Sequence, residues 1–301
     1  MRLITALLII FVACSLIRCS TGNVAESQLI YPLPQPDSTP LPFLPGIVSR
    51  LDSLDFNSAF SPDGKLFYFA RSENGKYNIY VTAFNGKSWG DPTLAPFSEP
   101  EFSEADPFIL ADGSLYMISD RPRDALDTIL DFDIWVVRPH PDGGWSSPEN
   151  IQGVNSDSIE YYVSVASNRN LYFASNRPGG YGSHDIYVSK FVNGKYTLPE
   201  NLGPNINSSE MEHDPLISID ERYLIFTSLN RKGGFGEADL HYSVRENLGE
   251  PWPAALNLGE RFNTPTYEYC PYLTPDGKFF FYSSEFDVKW IAAESLPFKV
   301  K

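Results

Sequence analysis

Five acids stand at nearly even intervals along the chain: Asp55, Glu104, Glu160, Glu212 and Glu268. Each comes just before an apolar, aromatic-rich stretch. Five carboxylates brought together would repel one another, and their pKa values would rise unless a cation or hydrogen bonds compensated. Converging on one axis, they would form a site for a cation such as calcium, or for a cationic peptide. Turned aside, they are strand-opening acids that hydrogen-bond to adjacent backbone.

Other polar residues recur in the same rhythm. Arg71, Arg121, Arg177 and Arg231 follow the second apolar stretch of successive units, and Asp133, Asp185 and Asp239, with Asn78, open the third. A catalytic group is needed once, whereas a structural group is needed in every unit. Recurrence therefore assigns these residues to structure, with the arginines and aspartates expected to bridge and to align the loop between them. The turn acids Asp63, Asp112, Asp220 and Asp276 fall under the same rule.

Non-repeated residues are the remaining candidates for chemistry. His213 follows Glu212 and precedes Asp214-Pro215, where other units carry Ala105 or Tyr161. His184 sits beside Asp185. The chain has no His-x-x-x-His and no Cys/His ligand spacing. A hydrolase triad built on His213 would need an acid and a serine, and nothing in the sequence ties a particular serine to His213. Cys270, between Tyr269 and Pro271, is expected to be a small packed residue rather than a nucleophile. No catalytic residue, metal ligand or cofactor is assigned, calcium at the five acids aside.

These residues must be positioned by a repeat. Leu66, Leu115, Leu171, Leu224 and Phe279 are equivalent anchors, 49, 56, 53 and 55 residues apart. That period suits a four-stranded propeller blade. Each unit opens on a strand that ends in a turn such as Ser61-Pro-Asp-Gly-Lys65, where Pro presets φ and Gly takes the left-handed position. A second strand follows, as in Leu66-Phe-Tyr-Phe69, then a polar loop such as Asn176-Arg-Pro-Gly-Gly-Tyr-Gly182. A third strand, Asp185-Ile-Tyr-Val188, and a closing segment, Tyr196-Thr-Leu-Pro-Glu-Asn-Leu202, complete the unit. The expected fold is all-β: a five-bladed β-propeller of four-stranded blades, with six blades as the alternative. The fifth unit has a degenerate third strand near Trp290 and no closing segment. Pro45-Gly-Ile-Val-Ser-Arg50 is expected to complete it, closing the ring and removing an exposed sheet edge.

These motifs resemble the TolB-type propeller repeat, a WD-repeat-like unit. The closing pattern Asn201-Leu-Gly-Pro-Asn-Ile-Asn-Ser208 is similar to that of a branch found in bacterial envelope proteins. The resemblance covers about residues 46 to 291. It implies a propeller of the cell envelope, and it is weak for function because propellers serve many roles. In that branch a peptidoglycan-binding OmpA-like domain often follows the propeller; this sequence runs only to Lys301.

Residues 1–19 form an export signal: Arg2, then an apolar run from Leu3 to Ala13, too short for a mature membrane span. Cys14 and Cys19 follow. Either could be the lipid-modified cysteine of a lipoprotein, Cys14 having the better preceding residue and Cys19 the better length; ordinary cleavage is the alternative. Residues 20–44 are a proline-rich linker, and 45–301 the propeller. Net charge is −15, which excludes a nucleic-acid partner through repulsion of phosphate. The chain is expected to be a monomeric, non-catalytic scaffold of the periplasm or outer membrane, binding an envelope protein or glycan and touching membrane only through a lipid anchor. The alternative is a propeller enzyme, a polysaccharide lyase or hydrolase, with its site in the central channel.

Overall fold

The computed structural model describes residues 29–50 and 52–300. The signal segment, with Cys14 and Cys19, lies outside the described residues.

Five four-stranded antiparallel sheets are arranged as the blades of a propeller. Blade 1 comprises β2 (Leu54–Phe60), β3 (Leu66–Glu73), β4 (Lys76–Ala83) and β5 (Thr93–Leu94). Blade 2 comprises β6 (Glu104–Ile109), β7 (Leu115–Ser119), β8 (Asp133–Val137) and β9 (Glu149–Asn150). Blade 3 comprises β10 (Glu160–Val165), β11 (Leu171–Ser175), β12 (Asp185–Ser189) and β15 (Glu200–Asn201). A short ribbon of β13 (Phe191–Val192) and β14 (Lys195–Tyr196) extends it. Blade 4 comprises β16 (Met211–Ile217), β17 (Tyr223–Leu229), β18 (Ala238–Val244) and β19 (Leu256–Asn257). Blade 5 comprises β20 (Glu268–Leu273), β21 (Phe279–Ser284), β22 (Asp287–Ala292) and, from the other end of the chain, β1 (Leu41–Pro42).

The second strands are the most deeply buried. Leu171 to Ser175 are all buried, because both faces of this strand meet apolar neighbours from adjacent blades. This is why they are nearly continuous apolar runs rather than alternating ones. The fourth strands are only two residues long. Asparagines supplement them: Asn207 accepts from the Ile186 amide at 2.8 Å and donates to the Ile186 carbonyl at 3.0 Å. Asn263 does the same to Leu240 and Asn155 to Ile134.

The ring does close with an N-terminal strand, but four residues earlier than expected. Leu41 pairs with Trp290 and Pro42 with Lys289. Pro45–Arg50 instead form a turn that folds Phe43 inward. Pro42 is tolerated because the pairing lies on the outer edge of the blade, where a missing N–H is harmless. Phe43 is fully buried against Phe67 at 4.6 Å and Phe281 at 4.9 Å. Part of the expected linker therefore packs on the propeller: Leu29 is buried, and the Tyr31 ring lies 4.6 Å from that of Phe279. The third strand of blade 5 is regular, pairing with β21 over six residues.

Candidate functional site

The five acids all open their inner strands, and all are fully buried. Their side chains turn into their own blades. Arg71 donates to Asp55 at 2.6 Å, Arg121 to Glu104, and Arg177 to Glu160 at 2.9 Å, while Arg231 lies 3.8 Å from Glu212. Serines or threonines complete each set. Ser156 gives Glu160 both its amide and its hydroxyl; Ser208 does so for Glu212 and Thr264 for Glu268. The guanidinium groups lie over aromatic rings of the same blade, as Arg177 does over Phe173 and Tyr187, each at 5.1 Å. The expected pairing of arginines with the third-strand aspartates is thus replaced by pairing with the inner acids. Asp185 and Asp239 have a different task. They accept backbone amides of the Gly-rich loop, from Tyr181 and Gly182 and from Phe235 and Gly236. They also accept Asn201 and Asn257 of the closing strands.

Glu268 is the exception among the acids. Blade 5 has no arginine at that position, and only neutral donors from Thr264, Thr266 and Ser284 reach it. Burial raises its pKa. Among the described residues, no three His, Cys, Asp or Glu side chains are gathered into a metal-holding set.

What the blades do bring to the axis is the residue two beyond each acid. Asn57, Asp106, Tyr162, Asp214 and Cys270 all have positive φ, between 40° and 63°. They sit at register shifts in the inner strands, where the bulge re-aims the side chain. From there they stitch blade to blade. Asn57 accepts the Asp106 amide, Asp106 the Tyr162 amide, and Asp214 the Cys270 amide at 2.9 Å. The Tyr162 hydroxyl donates to the Pro271 carbonyl at 2.6 Å, linking blade 3 to blade 5. Burial, reinforced by the charge of Asp214, pushes Asp106 well above the usual carboxylate range. Cys270 is buried and its thiol pKa is raised, which fits a packed residue and not a nucleophile.

Above this hub stands a collar of aromatic side chains. Phe56 meets Tyr77 at 5.2 Å and Tyr269 at 6.0 Å. Tyr269 meets Tyr267 at 5.3 Å, and Tyr267 meets His213 at 6.0 Å. On the facing side, Tyr161 stacks on His184 at 5.4 Å and touches Phe132 at 5.7 Å. His213 is tied at both nitrogens: Nδ1 to Asp214 at 2.8 Å and Nε2 to the Tyr267 hydroxyl at 2.8 Å. Burial first, and Asp214 second, raise the Tyr267 pKa, so its phenol stays protonated. His184 is held neutral, with a pKa lowered to about 4 by burial and then by His213. Both of its buried ring nitrogens lack a hydrogen-bond partner. The collar was only partly legible: His184 and His213 stood out as non-repeated, but the tyrosines passed as strand residues.

The same end of the propeller carries the loops between second and third strands, since Glu160 pairs with Ser175 at the start of that loop. Exposed apolar side chains tip these loops: Leu126, Leu130, Tyr181, Phe235 and Phe286.

No protein-family model and no curated protein matches the chain. Solved structures do. TolB from Acinetobacter baumannii overlays with a TM-score of 0.51 at 15% identity, covering 79% of this chain and 54% of that one. The α-L-arabinofuranosidase of Podospora anserina overlays at 0.51 with 11% identity, covering 82% of this chain and 95% of that one. The α-L-arabinanase of Penicillium chrysogenum overlays at 0.51 with 13% identity, covering 82% and 80%. This chain spans about half the length of the TolB protein, and identities this low speak to the fold alone. The chain is a β-propeller with distant structural likeness both to TolB and to propeller enzymes.

Proposed function

We propose that this protein is a non-catalytic binding propeller of the bacterial cell envelope, engaging an envelope protein with the face where the inner strands begin. One observation carries the reading. The recurring polar residues are committed to holding blades together, whereas that face presents apolar loop tips around an aromatic collar. Envelope localisation rests on the export signal and on the resemblance of the repeat.

The test is site-specific photo-crosslinking of the full chain in envelope extract. Probes at Tyr181 and Phe235 report on the proposed face. Probes at Ile219 and Leu248, exposed on the opposite face, serve as the reference. Adducts confined to the first pair support the reading; adducts equal from both pairs, or from neither, overturn it.

An enzyme acting in the channel is the second reading. It is favoured by His213, held between Asp214 and Tyr267 in one blade pair alone. Against it stands the raised pKa of Tyr267, which makes that phenol a poor base. Release of unsaturated or reducing sugar ends from acidic polysaccharides, abolished in His213→Ala, would establish the second reading over the first.

A further inference from the structure

We infer that the loop between β7 and β8, residues 120–132, is a preformed apolar anchor that seats against an amphipathic basic segment of a partner protein. The inference rests on the binding reading above and supplies the chemistry of the partner.

The loop departs from the repeat. A structural device recurs from blade to blade, whereas this loop occurs in blade 2 alone. Blades 1 and 5 join the same two strands by tight turns at Asn74-Gly75 and Glu285-Phe286. Blades 3 and 4 use Gly-rich loops with single aromatic tips, Tyr181 and Phe235. Blade 2 instead carries Leu126, Ile129 and Leu130, which are 89%, 41% and 83% exposed. Single apolar side chains at a surface need no explanation, but three so close together on one loop form a patch.

The loop is braced from within, so these side chains are held out rather than left loose. Asp124 accepts the Leu126 amide at 2.7 Å, and Asp127 accepts the amides of Arg123 at 2.8 Å and Ile129 at 3.1 Å. Arg123 then pins the loop to the entrance of blade 3. It donates to the Ser156 carbonyl at 3.1 Å and to Asp157 at 2.9 Å. An anchor ordered before contact loses less conformational entropy on binding.

Charge selects the partner. The same corner carries Asp124, Asp131 and Asp157, and the chain has no lysine from Ser88 to Ser189. Of the arginines in that span, Arg121 is buried on Glu99 and Glu104, Arg177 is held by Glu160, and Arg123 by Asp127 and Asp157. Arg138 and Arg169 lie at the opposite end of the blades. Three turn acids of that end have a cation beside them: Lys65 is 3.8 Å from Asp63, Arg222 3.6 Å from Asp220 and Lys278 3.2 Å from Asp276. The apolar corner is therefore also the acidic one. An anionic membrane surface would be repelled there. A polypeptide segment with one apolar and one basic face matches both features.

The test is fluorescence anisotropy of synthetic helical peptides titrated with the full chain. One peptide has a leucine face and a lysine face. A second keeps the leucines with glutamate for lysine, and a third keeps the lysines with serine for leucine. The first should bind at least about ten-fold tighter than either control, and added salt should weaken it. Leu126→Ser combined with Leu130→Ser should melt like the parent, because both side chains are exposed, and lose about ten-fold in affinity. Asp124→Asn keeps the acceptor for the Leu126 amide; combined with Asp157→Asn it should weaken the peptide about three-fold. Ile219→Ser with Leu248→Ser, on the opposite face, should change nothing. Equal binding of the three peptides, or unchanged affinity in the leucine variant, overturns the proposal. So does leucine-dependent binding to neutral phosphatidylcholine vesicles, which would assign the loop to a membrane. The crosslinks from Tyr181 and Phe235 belong to blades 3 and 4 and would stand in either case, so the two readings fail separately.

Discussion

The ring of Phe43 lies 5.4 Å from that of Trp290, so a residue near the start of the described chain completes the core of the last blade. The same ring touches Phe60 and Phe67 of blade 1. One side chain therefore joins the strand that closes the sheet to the seam between the first and last blades.

Replacing Phe43 with Ala should cost about 3–5 kcal/mol, the range for a fully buried Phe. Urea denaturation gives the value directly. A loss below about 1 kcal/mol would mean that the N-terminal segment merely lies on the surface.

The buried ion pairs predict unequal responses from equivalent acids. Glu160→Gln leaves the Arg177 guanidinium without its anion and should cost about 3–5 kcal/mol. Glu268→Gln strands no cation, because its donors are hydroxyls and an amide. It should cost clearly less in the same denaturation series. Equal losses would show that the arginines contribute little.

Asp133 gives a dependence on pH. Its pKa is raised to about 7, first by burial and then by Glu160. An unfolded aspartate titrates near about 3.9. Between these values the folded chain binds more protons than the unfolded one, so stability falls as pH rises and the loss is complete above about pH 7. Glu268 and Asp106, also raised, act in the same direction. Asn78 occupies the matching position in blade 1, so Asp133→Asn is compatible with the blade. Melting temperatures from pH 4 to 8 should decline less steeply in that variant; parallel curves would refute the assignment.

Gly182 allows two blades to approach. A Cβ there would lie 1.9 Å from the Glu210 carbonyl oxygen, which neighbouring Ser183 uses as an acceptor. Gly182→Ala should therefore destabilise by about 1–3 kcal/mol through overpacking. Gly179→Ala, in the same loop, meets nothing within 4 Å but has a φ of 95°, so it probes backbone strain alone. The two melting curves separate close approach from conformation.

The blades were legible because each repeats the same sequence grammar, and the ring could be expected to close with the N-terminal segment. The register of closure was not legible: Leu41–Pro42 has no pattern of its own, and its place is set by Phe43 finding a cavity between blades. The inner acids stood at the right positions, but the direction of four of them depends on arginines 16 to 19 residues later, a relation visible only once strands pair. The axial hub left still less trace. Asn57, Asp106, Tyr162, Asp214 and Cys270 share a backbone conformation rather than a side-chain type, so their equivalence appears only in φ.

The lock at Leu41–Pro42 also gives the propeller a mechanical polarity. Upstream of it, Tyr31 donates to Asp276 and the Asp37 carbonyl accepts the Ala292 amide. Tension arriving through residues before Leu29 meets these attachments one after another, then the two-residue strand pair, and only then Phe43. Load would peel the ring open at its seam, while pulling from other surface points would have to shear longer strands. The joint that completes the fold is thus also the point at which force would first release it.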